Sequence, residues 1–199
     1  MTFEPDSPLV SEVRASPNHE RRRGYERPSI LLLHYTGVPT ARGALDWLVN
    51  PQSKVSAHYV IDEAGRIFQL VPESLRAWHA GLSRWAGETD INSASIGIEI
   101  HNPGHDGGYP DFPDAQMEAV VALCRDIIAR HGIRPERVLA HSDVAPVRKK
   151  DPGEKFDWAR LARAGIGHWV EPEPFSSRDR GIGMGYGGPL VVEVQEMLA

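Results

Sequence analysis

Two histidines and an aspartate have the residue types and placement to hold a metal. His34 lies near the end of the apolar run Ser29–Tyr35, His141 follows the short apolar run Arg137–Ala140, and Asp151 stands ten residues later, before Pro152 and Gly153. Two imidazoles and one carboxylate suit zinc and leave a fourth tetrahedral position for water, which distinguishes a catalytic site from a structural one. The chain has nine histidines and one cysteine among 199 residues. A multi-cysteine zinc site and an internal disulfide framework are thereby excluded, and any metal is held through nitrogen and oxygen. Spacing alone leaves the matter open, because nine histidines offer many pairs and no His-Glu-x-x-His is present. A strand-end histidine is commonly a hydrogen-bonded structural residue. Glu99 interrupts the apolar strand Ser95–Ile100, and a carboxylate there is costly unless it faces a polar site or an ion pair. Lys149 and Lys150 precede Asp151; one lysine beside a metal can stabilise an oxyanion, and two loop cations can equally be solvated.

These side chains need a scaffold. Residues 29–35 read as a strand buried on both faces. Residues 57–61 and 66–71, joined by Asp62-Glu63-Ala64-Gly65, read as a β-hairpin, and 95–100 and 137–140 as further strands. Residues 41–49 form a short helix with Ala44, Leu45, Leu48 and Val49 on one side. The strongest helical pattern is 114–131, where Met117, Val120, Val121, Cys124, Ile127 and Ile128 make one apolar stripe. Asp114 is placed to cap its start and Gly132 its end, and Cys124 belongs to the core. A short helix spans 157–164. Residues 72–93 show no period and carry Trp78, His79 and Trp85; a long unpatterned stretch inside a domain is more often functional than idle.

Gly 19 and Pro 16 make roughly 18% of the chain against a usual ~12%, the mark of a loop-rich fold. A net charge of −5 argues against a dedicated nucleic-acid binder. Residues 1–27 read as a polar, solvated extension containing Arg21-Arg22-Arg23, 28–170 as the main domain, and 171–199 as a linker followed by a helical stripe through Leu190, Val191, Val194, Met197 and Leu198. No window approaches the ~18 apolar residues of a membrane span. The N-terminal residues carry no apolar signal-peptide core. The expectation is a cytoplasmic protein, or a periplasmic or envelope one if a leader is missing.

The run ILLLHYTG (30–37), VSAHYVI (55–61), GRIFQLVP (65–72), AWHAG (77–81), NSASIGIEI (92–100) and HSDVAPVRKKDPG (141–153) resembles the zinc-dependent N-acetylmuramoyl-L-alanine amidases of the AmpD/AmiD type. Their superfamily includes phage amidases and peptidoglycan recognition proteins. The resemblance covers about residues 28–170. It implies an α/β fold, with a central mixed β-sheet flanked by helices and a zinc site in a groove at the strand ends. It further implies Zn2+ ligation by His34, His141 and Asp151, proton transfer by Glu99, and support of the tetrahedral intermediate by Lys149. Trp78 and His79 would line the substrate groove, and Lys54 would meet stem-peptide carboxylates. The implied substrate is a muropeptide or peptidoglycan, cut at the amide between the lactyl group of N-acetylmuramic acid and L-alanine. Two departures stand out. Val147 occupies a position where glycine is commoner, and Thr89-Asp90 stands where some members carry a basic substrate contact. The expected role is muropeptide recycling. The competing expectations are an envelope or lytic amidase, suggested by the C-terminal stripe as the start of a truncated peptidoglycan-binding module, and a non-catalytic murein binder. Oligomeric state leaves no mark in the sequence.

Overall fold

A computed structural model describes residues 3–171, 181, 183 and 185–197. In chain order the elements are β1 (Glu12–Val13), β2 (His19–Arg21), β3 (Ile30–Tyr35), α1 (Ala41–Leu48), β4 (Tyr59–Ile61), β5 (Ile67–Gln69), β6 (Leu75–Ala77), α2 (Ile91–Ala94), β7 (Ser95–Ile100), α3 (Asp114–His131), β8 (Val138–Ala140), α4 (His141–Val144), α5 (Trp158–Arg163) and α6 (Pro189–Met197). Six strands form one mixed sheet in the order β1-β5-β4-β7-β3-β8. Strands β4, β7, β3 and β8 run parallel, and the β4–β5 hairpin supplies the antiparallel pair. The expected mixed sheet and hairpin are both present.

The alternation of side chains along a strand divides the central strands between two cores. Leu31, Leu33, Ile96, Ile98 and Ile100 face α3, where Met117, Val120, Leu123, Cys124 and Ile127 are buried, and Leu161 of α5 joins them. Each such side chain contributes about 2 kcal/mol on leaving water, so this one helix anchors that face. Ile30 and Leu32 point the other way, against Ile91, Ala94, Leu139 and Val144. On the same side Val60 and Phe68 meet Leu45 and Leu48 of α1. His34 is in phase with Ile30 and Leu32, and Glu99 is its direct neighbour on β7. Both therefore project from the face opposite α3, near the C-terminal ends of parallel strands, where open α/β sheets place their sites.

Three local expectations need correction. Residues 3–27, the described part of the expected extension, are not simply solvated. Strand β1 pairs with β5 at the sheet edge, β2 pairs with β6, and Arg22 is half-buried, its guanidinium donating to the carbonyls of Glu73 at 2.8 Å, Ser93 at 2.7 Å and Ser95 at 2.9 Å. An open strand edge offers unpaired backbone groups, and a polar segment satisfies them through its main chain without any apolar pattern. Arg21 and Arg23 are exposed as expected. Residues 72–93 are not structureless, since they hold β6, a bridge between Trp85 and Glu88, and α2. Asp114 does not cap α3: Pro113 already has the extended cap conformation, and the Asp114 carboxylate instead accepts from Arg160 at 2.8 Å. Gly132 ends the helix in the left-handed conformation, its N–H donating to the Ile128 carbonyl at 2.8 Å.

The chain divides into two compact units, Met1–Trp169 and Val170–Ala199. In the second, α6 exposes Leu190 and Val192. Most of the expected linker (172–180, 182 and 184), together with Leu198, lies outside the described residues. Among the described residues no helix is long and apolar enough to cross a membrane.

Candidate metal centre

His34 Nδ1, His141 Nδ1 and Asp151 Oδ2 form a nearly equilateral triangle. The two nitrogens lie 2.9 Å apart, and the carboxylate oxygen is 3.0 Å from the first and 2.9 Å from the second. All three residues are buried. Their positions follow from local structure. His34 is carried by β3 and His141 opens α4 directly after β8. The loop to Asp151 is closed by the Ser142 N–H donating to the Asp151 carbonyl at 3.0 Å. Tyr109, from the Gly/Pro loop before α3, clamps the next turn: its hydroxyl donates to the Pro152 carbonyl at 2.8 Å and accepts from the Lys155 N–H at 2.9 Å. Gly153 has φ +86°, and a Cβ there would collide with the Tyr109 hydroxyl, so the clamp requires glycine.

The triangle suits a cation. The Ala80 carbonyl lies 3.0 Å from His141 Nε2 and can only accept. His141 Nε2 therefore carries a proton and donates to it, which leaves Nδ1 as the ring nitrogen available to a cation beside Asp151. Burial, aided by the facing His141, lowers the His34 pKa to about 4, so its imidazole is neutral at ordinary pH. Two imidazole nitrogens and a carboxylate oxygen converging at these distances are a zinc-type donor set.

Beside the triangle, Glu99 Oε2 is buried with no hydrogen-bond partner among the described residues. Burial raises its pKa well above the ordinary value, Asp151 raises it further, and Lys149 opposes. A shifted carboxyl next to a candidate metal centre is suited to carrying a proton. His34, His141, Asp151, Glu99, Lys149, Trp78 and His79 all line one cavity of about 470 Å³, together with Tyr35, Trp47, Val55 and Ser56. Trp78 is held by its backbone N–H donating to Ser56 Oγ at 2.9 Å. Lys54 is not brought in: it is exposed, and only its neighbours Val55 and Ser56 reach the wall.

Sequence reasoning missed four contributors. Asn92 Oδ1 accepts from the His79 N–H at 3.0 Å and the Ala80 N–H at 2.8 Å, tying two of the motifs together. Arg148 donates to the carbonyls of Ala80 and Leu82, each at 2.8 Å. Tyr109 clamps the turn after Asp151. Trp47 lines the cavity while half exposed; its place off the apolar side of α1 was the available signal.

A mixed α/β sheet with two histidines, a carboxylate and a buried glutamate at its strand ends has the anatomy of a hydrolase. The comparisons with known proteins give the family. A family model described as N-acetylmuramoyl-L-alanine amidase matches residues 24–154, and the chain belongs to this Amidase_2 family. It is 42% identical over 166 residues to the N-acetylmuramoyl-L-alanine amidase AmiD of Escherichia coli, covering 77% of this chain and 59% of the relative. It is 35% identical over 163 residues to the 1,6-anhydro-N-acetylmuramyl-L-alanine amidase AmpD of Enterobacter cloacae, covering 73% and 85%. Among solved structures it resembles E. coli AmiD complexed with the substrate anhydro-N-acetylmuramic acid-L-Ala-D-gamma-Glu-L-Lys. That match has a TM-score of 0.68 and 43% identity, over 76% of this chain and 63% of the other. The chain thus spans about three-fifths of the AmiD length.

Proposed function

We propose that the chain is a zinc-dependent N-acetylmuramoyl-L-alanine amidase that hydrolyses the amide between the lactyl group of anhydro-N-acetylmuramic acid and the L-alanine of the stem peptide, in muropeptide recycling. The observation that carries this reading is the convergence of His34 Nδ1, His141 Nδ1 and Asp151 Oδ2 within 3.0 Å in a cavity shared with Glu99. Relatives whose names specify this bond support the choice of substrate.

An amide is a poor electrophile, so its hydrolysis needs an activated nucleophile and a neutralised oxyanion. His34, His141 and Asp151 would hold zinc, which would supply Lewis acidity to the site. Glu99 takes the water proton on its unpartnered carboxylate and later delivers it to the leaving alanine nitrogen. Lys149, half-buried at the cavity, faces the oxyanion with its ammonium, a contact of the kind worth about 3 kcal/mol in the transition state. Trp78 and Trp47 offer aromatic walls to the sugar.

Incubation with soluble 1,6-anhydro-N-acetylmuramyl tripeptide and with intact sacculi, on a preparation whose zinc is measured, tests the proposal. The expected outcome is one zinc per chain, new alanine N-termini from the soluble substrate, loss of activity with a chelator and return with zinc. Zinc well below one per chain with no cleavage overturns it. A recycling role implies a cytoplasmic setting, which cell fractionation checks. The helix α6 favours a second reading, an envelope amidase with a further murein-binding part, and that reading predicts robust digestion of sacculi.

A further inference from the structure

The second nitrogen of His34 meets another histidine. His34 Nε2 lies 3.0 Å from His79 Nδ1, with the rings nearly perpendicular at 84°. His79 Nε2 lies 3.4 Å from Ser95 Oγ. Ser95 in turn donates its only hydroxyl proton to the Ile91 carbonyl at 2.6 Å, an oxygen that can only accept. The proton order of the chain follows. Ser95 Oγ is left as an acceptor, so His79 donates from Nε2. His79 Nδ1 is then a lone pair, so His34 donates from Nε2, and His34 Nδ1 presents its own lone pair to His141 and Asp151. The opposite order would put a proton on His34 Nδ1, inside the ligand triangle, and would require two hydroxyl protons on Ser95.

We propose that His79 is a positioning residue, which fixes His34 in the ligand-competent tautomer through the chain Ile91–Ser95–His79–His34. This rests on the zinc reading above. The surroundings hold the ring in place for the task. Asn92 pins the His79 backbone. Gly97 leaves β7 bare beneath the imidazole, where a Cβ would come within 2.5–2.6 Å of three His79 ring atoms. The Ala80 carbonyl, one residue on, sets the tautomer of His141. The AWHAG segment therefore serves both imidazole ligands from behind, as carboxylates and carbonyls do around metal-bound histidines generally. It is more than a wall of the groove.

Two measurements test this. In zinc-free wild type, long-range 1H–15N spectra should show His34 carrying its proton on Nε2; a proton on Nδ1 overturns the proposal. Zinc affinity is then read by competition with a chromophoric chelator on wild type, His79→Leu and His79→Asn, each with its melting temperature checked. His79→Leu removes the acceptor and should weaken zinc binding by 10–100-fold. His79→Asn can place an amide oxygen near the lost Nδ1 and should recover most of the loss. Equal zinc binding by wild type and His79→Leu overturns the role of His79 and leaves the metal site standing. Failure of His79→Asn to improve on His79→Leu also overturns it, because packing rather than an acceptor would then be at stake. A wild type that takes up no zinc removes the zinc reading itself.

Discussion

Glu73 offers a quantitative test of how the domain is held together. Its carboxylate is 3% exposed, accepts from the Tyr59 hydroxyl at 2.6 Å and Arg130 Nη2 at 2.8 Å, and lies 2.6 Å from His131 Nε2. It joins β4 to the last turn of α3. Its own N–H donates to Asp6 at 2.9 Å, so the N-terminal segment is tied to the same point. Burial alone would raise its pKa, but the bonds from Arg130, His131 and Tyr59 overcome this and lower it from 4.5 to about 2. At about 1.4 kcal/mol for each pH unit, the gap amounts to ~3 kcal/mol of stability at pH 7. The folded pKa lies below the unfolded one, so this stability is complete above pH 4.5 and drains away as the pH falls towards 2. At pH 3 about 1.4 kcal/mol of it remains. Glu73→Gln imitates the protonated form at every pH. Urea unfolding of wild type and variant, followed by circular dichroism, should show a gap narrower by about 2 kcal/mol at pH 3 than at pH 7. At neutral pH the melting temperature should fall by about 6–12 °C for a domain of this size. Any cost of fitting an amide beside Arg130 is the same at both pH values, so the change with pH is the test. A gap equal at both pH values within about 0.5 kcal/mol refutes the assignment.

Other substitutions probe the site and the scaffold. Glu99→Gln should lower kcat by about 10²–10⁴-fold with zinc content unchanged, and metal loss on substitution would contradict its place outside the ligand set. Lys149→Met should cost about 100-fold in kcat, again with zinc retained; a pure rise in KM would reassign it to substrate binding. Arg22→Ala leaves three carbonyls without their donor and should destabilise the fold by about 2–4 kcal/mol in thermal melts. Arg21→Ala should stay within about 0.5 kcal/mol, and equal effects from the two would contradict the buried role of Arg22. Burial pushes the Cys124 thiol up to about 12, so an aromatic disulfide reagent at pH 8 should label it only on unfolding; rapid labelling of the native protein counts against its place under the sheet.

The sequence by itself determined the parts whose physics is local or periodic. The apolar runs of β3 and β7, the β4–β5 hairpin and the stripe of α3 are written in side-chain alternation, and Cys124 falls in the stripe. Residue type made His34, His141, Asp151 and Glu99 candidates, because the donor set of a metal site restricts residue type, and the resemblance of the motifs singled them out. Tertiary structure alone decided what depends on the backbone of distant segments. The acceptors for Arg22 are the carbonyls of Glu73, Ser93 and Ser95, and the outer partner of His141 is the carbonyl of Ala80. A carbonyl is the same group in every residue, so no letter of the sequence marks it. For the same reason the polar residues 3–27 could not be read as strands, since main-chain pairing with β5 and β6 asks nothing of their side chains. Lys54 has a suitable charge, but the turn that carries it leaves it outside the cavity. His79 has the chemistry of a wall residue in sequence; only its distances to His34 and Ser95 give its protons a direction.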